Sequence, residues 1–309
     1  MNPLLDPAGT EARLQAPLHW ALVVGAALLF AFVMVLLALA LAGKLRRVGA
    51  RTWLVGGGLA LPIGVLSALQ LANLQHMAAL GAAPPPGALV VGVVGRLWWW
   101  ELRVQVPGRE GVVVTANRLV LPVGRPVRLA LQSDDVIHSL WIPALAGKVD
   151  LIPGRINHLV VQAEREGRWR GPCAEFCGGG HATMVLDVVA LAPAAFDAWL
   201  EAESADAAAP QDERAARGLQ RFRAERCDAC HALRGLAQPV LEGVHGGPDL
   251  THLARRATLG AGALPNDAPS LRRWIADAAH HKPGVRMPAY PHLDSTALDD
   301  LAHFLGGLK

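Results

Sequence analysis

The stretch GPCAEFCGGGHATM, residues 171–184, places two cysteines, one histidine and one methionine in a single short loop. Its spacing is Cys-x3-Cys-x3-His-x2-Met, formed by Cys173, Cys177, His181 and Met184. Thiolate, imidazole and thioether groups form a soft ligand set that selects copper over hard cations, and zinc sites rarely include a thioether. Blue-copper sites with a weak axial methionine are built on β-sandwich scaffolds, so the loop predicts a β-sheet domain that carries copper.

The second cysteine of the loop indicates two copper ions. A mononuclear blue-copper site needs a single cysteine, whereas two sulfurs four residues apart can bridge a pair of ions. The second ion then needs its own imidazole, and His138, in SDDVIHSLWIP, is the best candidate because it ends a strand-like run. The alternative is a Cys173–Cys177 disulfide, with His138 on the surface and Met184 in the core. That alternative leaves the spacing of histidine and methionine unexplained.

The sequence before this loop consists of short apolar runs bounded by glycine and proline. Three of them are LVVGVVGRLWWWELRVQV (89–106), GVVVTANRLVLPVG (111–124) and RPVRLALQ (125–132). Runs rich in β-branched residues between turn signals are typical of strands. They predict a small antiparallel sandwich or barrel that ends near Leu191.

Two long apolar runs precede the strands. Residues 19–42 and 53–74 contain no Asp, Glu, Lys or Arg, and each is long enough to cross a hydrocarbon core of about 30 Å as a helix. The loop between them, residues 43–52, carries four basic residues, whereas only Arg13 precedes the first run. The positive-inside rule therefore predicts a transmembrane hairpin with a cytoplasmic loop and both termini outside. The alternatives are a buried core helix and, for the first run, a signal sequence.

The composition changes again after the predicted β domain. Residues 201–212, EAESADAAAPQD, are polar and alanine-rich and predict a linker. Residues 213–309 lack strand-like runs and predict short helices. Three segments carry this pattern: DERAARGLQRFRAE (212–225), SLRRWIADAAHH (270–281) and STALDDLAHFLGGL (295–308).

A Cys-x-x-Cys-His motif within these helices indicates covalent haem. Cys227 and Cys230 would bond the haem vinyl groups, and His231 would bind the iron. Met287, in HKPGVRMPAYP, is the expected sixth ligand on the opposite side. The alternatives are a zinc knuckle that uses His245 or His252, which would lack a second cysteine pair, and a thioredoxin-like redox pair, which would lack a βαβ context.

The overall composition agrees with a membrane protein that binds cofactors. The chain has 309 residues, 52% of them hydrophobic, and a mean hydropathy of +0.29. All four cysteines fall in the two motifs above, which favours cofactor ligation over a disulfide framework. A net charge of only +3 argues against a nucleic-acid partner. Other histidines are expected on the surface or in supporting roles, including His158, His280, His281 and His292.

Residues 115–157, from TANRLVLPVG to LIPGRIN, together with the loop CAEFCGGGHATM, resemble cytochrome c oxidase subunit 2. The resemblance extends over both apolar runs and implies a two-helix transmembrane hairpin and a cupredoxin-like antiparallel β-barrel with a binuclear CuA centre. Residues 213–309 resemble a class I cytochrome c domain, all-α, in which Pro248 of GGPDL would pack on the haem. The implied copper ligands are the side chains of His138, Cys173, Cys177, His181 and Met184 and the main-chain carbonyl of Glu175.

The same resemblance implies two further roles. The Glu175 carboxylate would bind magnesium at the contact with subunit 1. Trp98, in the aromatic cluster LWWWEL (97–102), would be the residue through which electrons enter, although three successive tryptophans also suit an anchor at the membrane interface.

The chain departs from the family pattern at three places. Leu97 and Pro172 stand where the family often has glutamine, and residues 51–62 contain no counterpart of a glutamate that many members use in a proton path.

Taken together, the resemblance implies a non-catalytic electron-transfer subunit of a proton-translocating cytochrome c oxidase. It would pass electrons from a soluble or membrane-bound donor through haem c and CuA to haem in subunit 1, and would reside in a bacterial-type inner membrane with both cofactor domains on the periplasmic side. A nitric oxide reductase subunit, a quinol oxidase subunit, or a copper-storage or delivery protein are the alternatives. The expected divisions are 1–88 for the N-terminal segment and hairpin, 89–200 for the CuA domain, 201–212 for the linker and 213–309 for the cytochrome domain.

Overall fold

The computed structural model describes residues 6–45, 48–80, 87–105, 111–239 and 246–309. They form two compact units, Glu11–Ala83 and, as the second unit, Met1–Thr10 with Pro84–Lys309. Arg46 and Arg47 of the basic loop and His245 lie outside the described residues.

The first unit consists of helices with exposed apolar side chains. Helix α1 spans Thr10–Leu41, and the second helix has a π-helical first part, Thr52–Ala60, that continues as α2, Leu61–Leu80. The segments Thr10–Leu41 and Thr52–Gln75 are long and apolar enough to cross a membrane, and their most apolar windows bury no residue within the protein. This exposure argues against a buried core helix, because such a helix would cover its apolar residues.

The second unit begins its regular structure with a β-sandwich. The strands are β1 Leu89–Arg96, β2 Trp99–Gln105, β3 Val113–Ala116, β4 Arg118–Pro122, β5 Val127–Ser133, β6 His138–Trp141, β7 Lys148–Leu151, β8 Asn157–Val161, β9 Gly167–Pro172 and β10 Val185–Leu191. One sheet has the strand order β3-β2-β1-β5-β8, another has β4-β10-β9, and β6 pairs with β7 in a third ladder. We call residues 89–191 the β-sheet region.

The sandwich is mainly antiparallel, with two exceptions. Strand β1 pairs in parallel with β5, and β4 pairs in parallel with β10. Each parallel pair joins strands that are far apart in the sequence, because parallel neighbours need a long crossover connection. Residues of β5 alternate between buried and partly buried, as expected for a strand with one face in the core.

Residues 173–184, which we call the copper loop, connect β9 to β10, and backbone hydrogen bonds hold this loop in place. The Cys173 N–H donates to the Met184 carbonyl at 2.9 Å, so the two ends of the loop meet. The Ala174 N–H donates to the Ser139 carbonyl at 2.9 Å, which ties the loop to β6. Since His138 is the first residue of β6, this pairing brings it to the loop.

The remaining residues are largely helical. Helix α3 covers Pro193–Ser204 and so includes the first four residues of the predicted linker. The predicted helix over 270–281 is two helices, because Asp277 ends the first and accepts a hydrogen bond from the His280 N–H at 3.1 Å as the N-cap of the second. The other elements are α4 Glu213–Ala224, β11 Thr258–Leu259, β12 Leu264–Pro265, α5 Ala268–Ala276, α6 Ala278–His281 and α7 Ser295–Gly306. We call residues 213–309 the helical region.

The N-terminal residues pair with the β-sheet region, a contact that the sequence did not indicate. The Ala8 N–H donates to the Ala144 carbonyl at 2.7 Å, and Gly9 forms a bridge with Ala163. Asp6 and Arg165 form an exposed ion pair at 2.6 Å.

Candidate copper centre and haem pocket

The two loop cysteines lie close together as free thiols. The Sγ atoms of Cys173 and Cys177 are 3.8 Å apart, and both side chains are buried. A disulfide requires about 2.05 Å between sulfurs. The geometry therefore rejects the disulfide alternative and leaves both sulfurs free to bind metal.

The other predicted ligands surround this sulfur pair. His138 Nδ1 lies 3.9 Å from Cys173 Sγ, and His181 Nδ1 lies 3.6 Å from Cys177 Sγ. The Met184 sulfur is 3.9 Å from Cys177 Sγ, and the Glu175 carbonyl oxygen is 3.3 Å from Cys173 Sγ. Each sulfur thus has one imidazole beside it, and this soft donor set, with two sulfurs available to bridge, suits two copper ions.

The imidazole of His138 is oriented by Asp135, which sequence reasoning missed. Asp135 Oδ1 lies 2.8 Å from His138 Nε2, so Nδ1 is directed at the sulfur. Carboxylates commonly hold metal-binding histidines in this way. The signal was present in SDDVIH as a carboxylate three residues before the histidine, but spacing alone did not show that the two side chains meet.

Burial and hydrogen bonding act in opposite directions on this pair. Burial raises the pKa of Asp135, but hydrogen bonds from His138 and from the Val136 and Leu97 N–H groups outweigh it and lower that pKa below its usual value. Burial likewise lowers the pKa of His138, and its hydrogen bonds to Asp135 and Cys173 outweigh that effect and raise it.

The sulfur pair shares one proton. The hydrogen bond from the Cys177 thiol lowers the pKa of Cys173 to about 3, and the same hydrogen bond raises the pKa of Cys177 above its usual value. Because metal ions bind thiolates, binding through both sulfurs must displace that proton.

Trp98 is in direct contact with the loop. Its side chain is only 9% exposed, and its indole N–H donates to the Cys177 carbonyl at 2.7 Å. Trp100 is fully buried. Neither residue therefore presents its ring to lipid, as an anchor at the membrane interface would require.

Glu175, the proposed magnesium ligand, has an exposed side chain on the same loop. Among the described residues, the cluster of His, Cys, Asp and Glu side chains that could hold a metal is His138, Cys173 and Cys177. Glu175 belongs to no group of three or more such side chains among the described residues.

The Cys-x-x-Cys-His motif forms a tight turn, and His231 is fixed by the backbone. Cys227–Ala229 is a 3₁₀ turn, and both cysteines are free thiols. His231 Nδ1 donates to the Pro248 carbonyl at 2.8 Å, which leaves Nε2 available for iron. This hydrogen bond is the kind that sets the tautomer of an iron-binding histidine. Burial lowers the pKa of His231, and it raises the pKa of Cys227 to about 11.

A cavity of about 420 Å³ lies against this motif. Met287 and His231 both line it, as expected for two axial ligands. Its walls are mainly apolar, which suits a haem ring. The apolar residues include Phe222, Leu250, Leu253, Leu259, Leu271, Trp274, Ile275, Leu301 and Leu305.

Arg256 is a second residue that sequence reasoning missed. It lines the cavity and is buried, and its guanidinium donates to the Asp249 carbonyl. Its Nε atom has no hydrogen-bond partner among the described residues. A buried guanidinium with one unpaired N–H in the wall of an apolar cavity fits a ligand that carries a carboxylate, as haem does. No motif marked this arginine in the sequence.

The rival uses of the Cys-x-x-Cys pair do not fit. Both ring nitrogens of His252 face carbonyl oxygens, of Lys309 at 2.8 Å and of Ala205 at 3.1 Å, so the ring is not directed at the cysteines. His245 lies outside the described residues. The described helical region contains no βαβ unit, which a thioredoxin-like pair would need.

The four histidines expected in surface or supporting roles, His158, His280, His281 and His292, lie at the surface or are partly exposed. His158 contacts Arg128 at 2.9 Å, and His292 pairs with Glu225 at 2.8 Å. The rings of His280 and His281 contact each other edge to face. These contacts place none of them at either cofactor site.

Comparison with known proteins agrees with this arrangement. The family described as cytochrome c oxidase subunit II, periplasmic domain, matches residues 101–191, and the cytochrome c family matches residues 215–309. Cytochrome c oxidase subunit 2 of Bacillus sp. (strain PS3) is 31% identical over 253 residues, which are 79% of this chain and 68% of that protein. The chain belongs to the cytochrome c oxidase subunit 2 family. Within that family, the two matched parts imply a CuA centre and a haem.

Two further members of the cytochrome c oxidase subunit 2 family are also similar to this chain. The protein from Alkalihalophilus pseudofirmus is 36% identical over 219 residues, covering 71% of this chain, and the chain spans 61% of the length of that relative. The solved periplasmic domain of subunit II from Bradyrhizobium japonicum is 28% identical, with 39% of this chain and 96% of that domain covered and a TM-score of 0.36.

Proposed function

We propose that this chain is the subunit through which electrons enter a haem-copper cytochrome c oxidase. When bound, the haem and the copper pair supply one-electron carriers, which would relay electrons from an external donor to haem in subunit 1 for proton-coupled reduction of oxygen to water. The observation that carries the proposal is the convergence of three side chains, those of His138, His181 and Met184, and of the Glu175 carbonyl on the Cys173–Cys177 pair, beside a buried tryptophan. The chain itself needs no general acid or base for this role.

The geometry of the loop supports the following copper ligands. Cys173 and Cys177 would hold the two ions through their thiolates, and His138 and His181 would supply the imidazole ligands. Met184 and the Glu175 carbonyl would complete the set as weaker ligands. Asp135 would hold His138 in position.

The proposed haem ligands come from the helical region. Cys227 and Cys230 would attach the haem covalently, and His231 and Met287 would be the ligands of its iron. Met/His ligation raises the haem potential, which suits an electron carrier. Arg256 would pair with a haem carboxylate.

We also propose the setting of the chain. The two apolar helices would form a multi-pass anchor in a bacterial-type inner membrane, with both cofactor domains on the periplasmic side and subunit 1 as the main partner. The division into 1–88, 89–200, 201–212 and 213–309 is part of this proposal, as is magnesium at Glu175, which would need its other ligands from subunit 1.

The test is a reciprocal pair of cysteine substitutions in the full chain. Cys177→Ser should abolish the mixed-valence copper signal in electron paramagnetic resonance and leave the c-type haem spectrum unchanged, because it removes one bridging sulfur. Cys230→Ser should alter the haem spectrum and keep the copper signal. A Cys177→Ser protein that retains the mixed-valence signal would contradict the ligation, and a chain without covalent haem would favour a copper-storage protein.

A further inference from the structure

The Trp98 ring is enclosed between the copper loop and a loop of the helical region. A side chain at Gly180 would collide with one part of the indole, and a Cβ atom at Gly284 would lie 2.7 Å from Trp98 Cη2. Gly284 has φ +88°, a left-handed conformation that glycine adopts without steric cost. The backbone at Gly284 therefore approaches the tryptophan more closely than any side chain would allow.

Lys282, two residues before Gly284, is buried in the same contact. Its side chain is 2% exposed. The ammonium Nζ donates to the Trp98 carbonyl at 2.7 Å, to the Thr183 carbonyl at 2.9 Å and to the Gly260 carbonyl at 2.6 Å. The first two carbonyls belong to the β-sheet region and the third to the helical region, so one charged group connects both.

The Trp98 and Thr183 carbonyls that Lys282 binds both lie beside the copper site. Thr183 directly precedes Met184, and Trp98 donates to the Cys177 carbonyl. Lys282 thus binds the backbone of two residues that are each one step from a proposed copper ligand. The same lysine also lines the haem-type cavity, as do Trp98 and Trp99.

The buried amine of Lys282 needs acceptors from both regions. Burial lowers the pKa of the Lys282 ammonium to about 7. The three carbonyl oxygens take the place of the water that a buried amine needs for its hydrogen bonds. Two of the three acceptors come from the β-sheet region. The two regions must therefore be in contact for the buried ammonium to be satisfied.

Three further hydrogen bonds join the same regions. The Val185 N–H donates to the Ala261 carbonyl at 2.9 Å. The Arg118 guanidinium donates to the Arg255 carbonyl at 2.7 Å. Arg234, from the helical region, donates to the Val114 carbonyl at 3.0 Å. The contact between the β-sheet region and the helical region is therefore broad. Lys282 lies in the part of this contact that covers Trp98.

We propose that Lys282 and Gly284 form a latch that holds the helical region over Trp98, aligns the haem site with the copper site, and closes Trp98 to external donor proteins. This proposal rests on the proposed function. Its consequence is that a donor protein must deliver its electron to the haem, because the helical region covers the residue through which an electron would otherwise enter directly. Lys282 acts here as a positioning residue.

The test compares Lys282→Met with Lys148→Met in the full chain carrying both cofactors. Lys148 is exposed on β7, so the same substitution there should change nothing. The external donor is a reduced blue-copper protein, which carries no haem, and the haem and near-infrared copper bands are followed separately in stopped flow. In the wild-type chain and in Lys148→Met, the haem should be reduced first and the copper afterwards. In Lys282→Met, haem-to-copper transfer should slow by roughly tenfold or more, and part of the copper should be reduced without prior haem reduction, because loss of the latch misaligns the sites.

The outcomes separate the latch from the proposed function. If Lys282→Met carries both cofactors and matches Lys148→Met in rate and order, the latch is overturned. If Lys282→Met fails to hold a cofactor, the test moves to Arg118→Gln, which weakens the contact between the β-sheet and helical regions at a place away from Trp98. Slower electron transfer from haem to copper in Arg118→Gln supports the latch, and an unchanged rate overturns it. If the wild-type chain shows no transfer from haem to copper, the proposed function fails.

Discussion

At the scale of single residues, the His138 side chain depends on Asp135. The carboxylate accepts hydrogen bonds from His138 at 2.8 Å and from the Leu97 N–H at 2.8 Å, so it connects the histidine to the residue that precedes Trp98. Such partners of metal-binding histidines fix the tautomer and the orientation of the ring.

We expect Asp135→Ala to weaken copper binding by roughly 10- to 100-fold, the usual cost of losing such a partner. Titration with a competing copper chelator measures the change. Asp134→Ala is the matched control, because Asp134 pairs with Arg96 at 2.8 Å and is not hydrogen-bonded to His138. Equal copper affinity in the two variants would show that Asp135 does not orient the histidine.

At the scale of elements, α4 and α7 form the centre of the helical region. Phe222 of α4 and Phe304 of α7 are both buried and pack edge to face with ring centroids 6.3 Å apart. Each helix begins with an aspartate N-cap, at Asp212 and Asp294, which satisfies N–H groups of the first turn.

Phe304→Ala should reduce the free energy of unfolding by about 3–5 kcal/mol, because it removes a buried ring and leaves a cavity. Thermal unfolding followed at the haem band should show a lower Tm. Thr296→Ala, at an exposed position of the same helix, should have little effect. A Tm shift of similar size in both variants would mean that the α4–α7 contact does not limit stability.

The helices of the helical region differ in how far the local sequence pattern predicted where they end. The apolar periodicity of residues 212–225 and 295–308 depends on neighbours within one helix, so both helices were predictable. The break at Asp277 was not, because apolar spacing continues across it and only the cap geometry ends α5.

At the scale of the whole molecule, the two apolar helices give the chain a surface that suits a membrane. Their exposed residues include Phe30, which is 68% exposed near the middle of α1. Such surface is stable in lipid and unfavourable in water.

We expect the chain to remain in the membrane fraction after an alkaline carbonate wash. Phe30→Arg combined with Met34→Arg should shift part of it to the soluble fraction, because each central arginine costs about 2.5–3.5 kcal/mol on insertion. Val136→Arg, at an exposed position of the β-sheet region, serves as the control. Release of the unsubstituted chain by carbonate would contradict the membrane anchor.

The parts of this protein that the sequence alone determined are those encoded by spacing within one segment. The thiol, imidazole and thioether groups of 173–184 meet in one loop, the Cys-x-x-Cys-His motif forms one turn, and the apolar runs form single helices. Their interacting groups are near neighbours in the chain, so residue type and interval are sufficient.

Only the tertiary structure decided how these parts meet. Lys282 reaches Trp98 across 184 residues, and β1 pairs in parallel with the distant β5. The acceptors of Lys282 are backbone carbonyls, which every residue possesses, so no side-chain pattern could indicate them in advance. Contacts of this kind arise when the whole fold brings distant backbone segments together, and for that reason the covering of Trp98 is visible only in three dimensions.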